Sequence, residues 1–499
     1  MKRIPATLVP SISLGSRKQT PIYSQLYEWF RTAILDGLLR PGQRIPSTRS
    51  LASELRISRL PVLNAYEQLR TEGYLETTVG AGTRVARSIV DQAPRQRSAK
   101  ARRSRSRATT EFSPRRLSER GVAFTRTLKD PSLSNLGAFR VSLPALDHFP
   151  SNAWSKLVIR QSRSMPSAIM AYGDAMGYLP LREAIAEYLG MVRAVRCDPS
   201  QIVVTTGSQQ GLQIAAHVLL DSNDQVCVED PGYPGARLAF MNAGARIVPI
   251  SVNGEGMNVE EMIRKTPHAR AVYITPSHQY PLGVTMSAAQ RLRLLDWAAR
   301  CGGWIIEDDY DSEFRFSSRP IASLQGMDSD ARVIYLGTFS KVMFPALRLG
   351  YLVVPKDLVA AFSAALDAVG IFSSPLYQTV LSDFIRAGHF ARHIRRMRTL
   401  YMERRTVLVK AVRQQIGNRL EIVGAEAGMH LAALLPPGVS DTQISRAAAG
   451  RGICATPLST CYLNPPPRGG LILGYGGTNE QQIRDGVRKL KMSLSDHPE

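Results

Sequence analysis

Cysteine is scarce in this chain: Cys197, Cys227, Cys301, Cys454 and Cys461 are the only five among 499 residues. No two form a Cys-x-x-Cys pair, so the spacing offers neither a disulfide framework nor a zinc site. Long apolar runs are missing too. No stretch approaches the roughly 18 uncharged apolar residues of a membrane helix. Lys2 and Arg3 have no continuous apolar core behind them, so no secretory signal is expected. These absences predict a protein of the reducing cytoplasm with no membrane partner. Acidic residues are outnumbered, 41 Asp and Glu against 63 Lys and Arg, giving a formal charge of +22. That imbalance points to a polyanion, and with no membrane segment, to nucleic acid.

What is present divides along the chain. A length of 499 residues exceeds one compact core and predicts at least two domains. Residues 1–20 read as an arm and 21–87 as a small helical module. Residues 88–130 read as a linker, of which 88–120 hold ten Lys/Arg and three Asp/Glu, a net +7. Few large apolar residues stand there, so the segment reads as a solvated tether, with phosphate contact as a second role. Residues 131–495 form the large domain. No internal repeat is visible.

In the small module, Ile22, Leu26, Phe30, Ala33 and Ile34 recur at helical spacing. A second helix starts at PSTRSLASEL, with Ser47 or Thr48 as N-cap and Leu51, Ala52 and Leu55 facing inward. After the turn RIS, SRLPVLNAYEQLR gives a third helix with Val62, Ala65, Tyr66 and Leu69 on one side. Pro61 sits in its first turn, where a missing N–H costs nothing. This is a helix-turn-helix, and GYLETTVGAGTRV, with Gly80 and Gly82, reads as a hairpin wing. Arg49, Arg56 and Arg59 gather on the face that would meet DNA. The ordered run from Pro21 to Val85 resembles the DNA-binding domain of GntR-family regulators. The resemblance implies that Arg49, Ser58 and Arg59 contact DNA, with Gly82 in the wing. Pro61 departs from the threonine often found there and removes a hydroxyl contact.

In the large domain QIVVTTG, DQVCVEDPG, ARIVPIS, RAVYITP, GWIIEDD and RVIYLGT are β-branched runs closed by turn residues, with helical patterns between them. They predict an α/β fold with a mostly parallel sheet covered on both faces. TFSKVMFPALRLG places Lys341 after a strand, beside hydroxyls and ahead of Arg348. A lysine there suits a Schiff base with an aldehyde, and the hydroxyls and guanidinium suit a phosphate. TTGSQQGL closes a strand at Gly207 and opens a helix at Ser208, a phosphate-binding arrangement. EDPGY places Tyr233 where a ring can stack on a heterocycle. IIEDDYDSEFR runs a strand into carboxylates, one of which would protonate a pyridine nitrogen.

Together these segments resemble the fold-type I aminotransferases from about residue 136 to 490. The resemblance implies pyridoxal 5′-phosphate on Lys341. Ser208, Gln209, Ser340 and Arg348 would hold its phosphate, with Thr338 a further candidate, and Tyr233 would stack on its ring. Asp308 is chosen over Asp309 for the pyridine nitrogen, and Tyr310 for the phenolic oxygen, because i and i+2 share a strand face. Tyr172 would reach the phosphate of a neighbouring subunit, in a head-to-tail homodimer. A GntR-type head on such a body resembles the MocR subfamily of regulators. Two departures from the enzymes stand out. Tyr280 occupies the place of an asparagine that bonds the phenolic oxygen. GGLILGYGG is apolar where a carboxylate-binding arginine is expected, leaving Arg468 either as a substitute or as a surface residue.

The expectation is a transcription regulator that binds double-stranded DNA. It would sense an amino acid, an amine or pyridoxal phosphate itself through imine exchange at Lys341. The competing expectations are a working aminotransferase with an appended head, and a cofactor-free scaffold.

Overall fold

A computed structural model describes residues 12, 20–78, 82–88, 117–118, 121–122, 137–171, 173–316, 321–370, 373–424 and 426–495. Gly80, Tyr172, nearly all of the arm and most of the linker lie outside these residues. The chain divides into two compact units, residues 1–116 and 117–499.

In the first unit α1 (Ile22–Leu35), α2 (Thr48–Glu54) and α3 (Arg59–Thr71) precede β1 (Leu75–Thr78) and β2 (Gly82–Val85). Leu26, Phe30, Leu51, Val62, Leu69 and Val85 close a shared core. Full burial of such a side chain contributes roughly 1.5–3 kcal/mol, so a few of them hold this small unit together. Ile22 opens α1 and remains 40% exposed, and Leu55 is only half-buried. Ser47 caps α2, its Oγ accepting from the Ser50 N–H at 3.2 Å. Arg56 takes a positive φ of 54° in the turn to α3. β1 and β2 pair antiparallel from Leu75↔Val85 to Thr78↔Gly82. Residues 43–45 run along the other side of β2, where Ile45 N–H donates to Thr83 O at 3.0 Å and Val85 N–H to Gln43 O at 2.9 Å.

The second unit is built on an eight-stranded sheet. In chain order its strands are β3 (Ile202–Thr205), β4 (Gln225–Asp230), β5 (Arg246–Asn253), β6 (Gly256–Met257), β7 (Ala271–Ile274), β8 (Trp304–Asp309), β9 (Val333–Thr338) and β10 (Gly350–Val353). Their spatial order is β3-β10-β9-β8-β7-β4-β5-β6. Strands β9, β8, β7, β4 and β5 are mutually parallel, and β10 runs antiparallel between β3 and β9. Every residue of β3, β7, β8, β9 and β10 is buried, as strands covered on both faces require. A smaller antiparallel sheet follows, ordered β11 (Glu421–Val423), β12 (His430–Leu434), β14 (Gly470–Gly474), β13 (Thr456–Pro457). The sequence reading had not resolved β10 or this second sheet.

Candidate functional site

The carboxyl ends of β3, β4, β7, β8 and β9 lie along one edge of the large sheet, with the start of β10 among them. Ligands of open α/β sheets gather at such an edge. Five sequence segments therefore converge: 205–209, 229–235, 275–281, 307–311 and 338–341.

Lys341 follows β9 and is half-buried. Burial lowers its ammonium to about 8, against the pull of the Asp311 and Asp308 carboxylates; Arg348 adds to the lowering. The lowered value raises the share of neutral amine, the form that attacks a carbonyl. Asp308, 5% exposed, is the last residue but one of β8. Its Oδ2 accepts from the Tyr273 hydroxyl at 2.7 Å, while Oδ1 is buried with no hydrogen-bond partner among the described residues. Burial pushes its carboxyl up to about 7, against the Tyr273 hydrogen bond. Asp309 faces the other way, pairing with Arg193 at 2.7 Å and accepting from the Tyr335 hydroxyl at 2.5 Å.

The other end of the site is built for an anion. Gly207 takes a φ of +101° and opens the helix Ser208–Leu219 (α4). The first-turn N–H groups of a helix have no intrahelical acceptor and favour negative charge. A side chain at Gly207 would meet the Arg348 guanidinium at 3.5 Å, so this cation stands over the start of α4. Arg348 itself takes a positive φ of 50°. Thr338 Oγ1 accepts from the Ser340 N–H at 3.2 Å, which fixes the loop carrying Lys341. Gln209 has its side chain engaged within the protein. Its Nε2 donates to Gly235 O at 2.9 Å.

Rings line the space between. Tyr233 and Tyr280 meet edge to face at 5.8 Å, and Tyr280 and Tyr310 at 6.1 Å. Behind them sit His278, Asp311 and His430, whose donor atoms lie within 4.8 Å of one another. His278 Nδ1 is already engaged by Asp311 Oδ1 at 2.9 Å, so the group is an acid–base network. Burial, with His278 second, lowers His430 to about 4 and keeps it neutral. Glu229 accepts from the Thr275 hydroxyl at 2.6 Å, and burial raises it to about 7. Tyr273, Glu229, Asp311 and His430 were not singled out from the sequence. Asp311 and Glu229 stood within motifs already noted, whereas His430 carried no local signal.

The structure brings Ser208, Gln209, Tyr233, Asp308, Tyr310, Thr338, Ser340, Lys341 and Arg348 to this edge. It does not bring Arg468. His430 pairs with Gly474 at one end of β12–β14, and Leu434 pairs with Gly470 at the other. That second end is about 13 Å along the strand from His430 at the usual rise, and Arg468 lies beyond it. There it pairs with Glu421 and donates to Leu435 O. The register of this pair, invisible in the sequence, carries Arg468 away. Buried Ile472 clusters with Leu458, Cys461 and the ring of Tyr280.

In the small unit Arg49, Ser58 and Arg59 are exposed at the starts of α2 and α3. Arg59 Nε donates to Thr48 Oγ1 at 3.1 Å, tying the two helix starts together. Gly82 opens β2 with a φ of +83°, and a side chain there would meet Arg44 Nε at 3.1 Å. Arg44 bridges to Arg84 across the wing and is a basic residue that sequence reading missed.

A helical head with a wing and a body of this fold define a two-part protein, with a bacterial regulatory head and an aminotransferase-type body. Residues 22–85 match the family described as bacterial regulatory proteins, gntR family, and residues 139–490 match aminotransferase class I and II. The chain belongs to the regulators that fuse these two domains, the MocR subfamily. It is 40% identical over 474 residues to the probable rhizopine catabolism regulatory protein MocR of Rhizobium meliloti, covering 95% of this chain and 94% of that protein. It is 31% identical to the pyridoxine biosynthesis transcriptional regulator PdxR of Corynebacterium glutamicum, covering 95% and 96%. Among solved structures, the body is similar to LysN, an α-aminoadipate aminotransferase of Thermus thermophilus complexed with N-(5′-phosphopyridoxyl)-L-leucine. There the TM-score is 0.70 at 27% identity, over 75% of this chain and 97% of LysN.

Proposed function

We propose that the protein is a transcription regulator whose head binds DNA and whose body holds pyridoxal 5′-phosphate on Lys341. The observation that carries the cofactor reading is the unpartnered, buried Oδ1 of Asp308. An orphaned buried acceptor costs about 1–3 kcal/mol, and a protonated pyridine nitrogen would satisfy it. The Gly207–Arg348 cradle suits the phosphate, Tyr233 the ring face, and Tyr310 the phenolic oxygen. The cofactor would supply an electrophilic carbon that captures amines reversibly. An incoming amine would take the place of Lys341, and it would act on the DNA-binding state to the extent that it binds two states of the protein with different affinity. The effector is an amino acid, an amine or the cofactor itself. A homodimer would present two heads to paired half-sites.

Tyr280 in the asparagine position and the apolar strand β14, where a carboxylate-binding arginine is expected, favour sensing over turnover. The test is an absorbance-monitored screen of amino acids, amines and pyridoxal phosphate against the full chain, repeated with its own upstream DNA. A spectral change coupled to a change in DNA affinity is expected. Steady turnover of an amino acid with a keto acid, without any effect on DNA binding, would overturn the reading.

A further inference from the structure

Tyr310, His278 and Asp311 meet at one nitrogen. The Tyr310 hydroxyl oxygen and Asp311 Oδ1 each lie 2.9 Å from His278 Nδ1. The side chains of His278 and Asp311 are 2% and 1% exposed. A ring nitrogen carries either a proton or a lone pair. A carboxylate oxygen at 2.9 Å repels a lone pair, so the proton resides on Nδ1 and is donated to Asp311. Nδ1 then cannot accept from Tyr310, and the tyrosine hydrogen is released from the histidine. Burial, with the Asp311 charge second, holds the Tyr310 phenol well above its ordinary value, so this hydrogen stays on the oxygen.

Gly428 is what lets the pair close. It takes a φ of +80°, and a side chain there would lie 2.1 Å from His278 Cε1 and 2.6 Å from Asp311 Oδ2. His278 Nε2 and Asp311 Oδ2 are buried with no hydrogen-bond partner among the described residues, so the Nδ1–Oδ1 contact is the hydrogen bond that joins the two side chains.

We propose that Asp311 and His278 are positioning residues: they fix the histidine proton on Nδ1 and so keep Tyr310 a hydrogen-bond donor into the cofactor site. The inference rests on the reading that the cofactor is held on Lys341. The titratable and charged groups around this hydroxyl come from several elements. They are Asp308 and Asp311 beside it, Glu229 on β4, His278 after β7, Lys341 after β9 and His430 on β12, with the Tyr280 phenol nearby. His430, lowered to about 4, is neutral and adds no positive charge.

The test is a double-mutant cycle read as the pH midpoint of the visible band of the lysine-bound cofactor. A donor on the phenolic oxygen weakens that oxygen's hold on the proton it shares with the lysine nitrogen. Tyr310→Phe in the otherwise natural protein is therefore expected to raise the midpoint, by about one pH unit. In an Asp311→Ala background Nδ1 is free to accept the tyrosine hydrogen, and the same substitution is expected to shift the midpoint by less than about 0.3. The direct pull of the Asp311 charge on Lys341 is absent from both alanine arms and cancels. Asp311→Leu, which fills the space without charge, replaces the alanine variant should that one fold poorly. Equal Tyr310→Phe shifts in both backgrounds would overturn the inference and leave the cofactor reading standing. No visible band in the natural protein would overturn both.

Discussion

Tyr273 donates its hydroxyl to one oxygen of Asp308 at 2.7 Å and leaves the other oxygen buried without a partner among the described residues. The bond aims a single acceptor into the site. Burial raises this carboxyl to about 7, well above its ordinary value. The folded pKa lies above the unfolded one, so the native cofactor-free body binds the extra proton between about pH 4 and 7. Its stability therefore falls as pH rises through that window. Asp308→Asn is expected to stabilise the cofactor-free body by on the order of 1–3 kcal/mol at pH 8 and by much less near pH 4. The same substitution is expected to weaken cofactor binding. Urea unfolding at the two pH values checks the first statement, and a pH-independent difference would contradict it.

On the proposed reading, Lys341 would attack as its neutral amine. With the ammonium lowered to about 8, the rate at which the visible cofactor band grows should rise with pH and level off above that value. Stopped-flow absorbance measures it. A rate still rising through pH 10 would mean that the lysine is not held as described.

Arg348 stands over the first turn of α4 beside Gly207. Arg348→Ala should weaken pyridoxal phosphate by about 1.5–3 kcal/mol, the worth of a charged hydrogen bond, and leave pyridoxal nearly unaffected. Equal losses for the two compounds would remove the guanidinium from the phosphate.

In the head, Arg59 links α3 to Thr48 of α2 while facing solvent. Arg59→Ala should cost about 1–3 kcal/mol of specific DNA affinity if it reads a base edge. Fluorescence anisotropy on the upstream sequence measures this, with scrambled DNA as control. Gly82→Ala should also weaken binding, because it strains a φ of +83° and presses on Arg44. An unchanged affinity at moderate salt would take either residue out of the interface.

Much of this was legible in the sequence because local chemistry carried it. The buried runs that became β3, β4, β7, β8 and β9 are β-branched and end in turn residues, which put Gly207, Tyr233, Asp308 and Lys341 at strand ends. Alternation alone separated Asp308 from Asp309. What stayed hidden depended on distant pairing. His430 reaches His278 from a second sheet, with ring centroids 5.2 Å apart. Tyr273 supports Asp308 from the neighbouring strand, which only the sheet order reveals. Arg468 is near β14 in sequence, yet the β12–β14 register sets it at the far end. Arg44 joins the wing through an isolated bridge that no periodicity marks.

The most direct measurement is borohydride reduction of the full chain with pyridoxal phosphate, followed by peptide mass mapping. One phosphopyridoxyl group on the peptide carrying Lys341, absent in Lys341→Ala, is the predicted result. A label on another lysine, or no covalent label at all, would contradict the account.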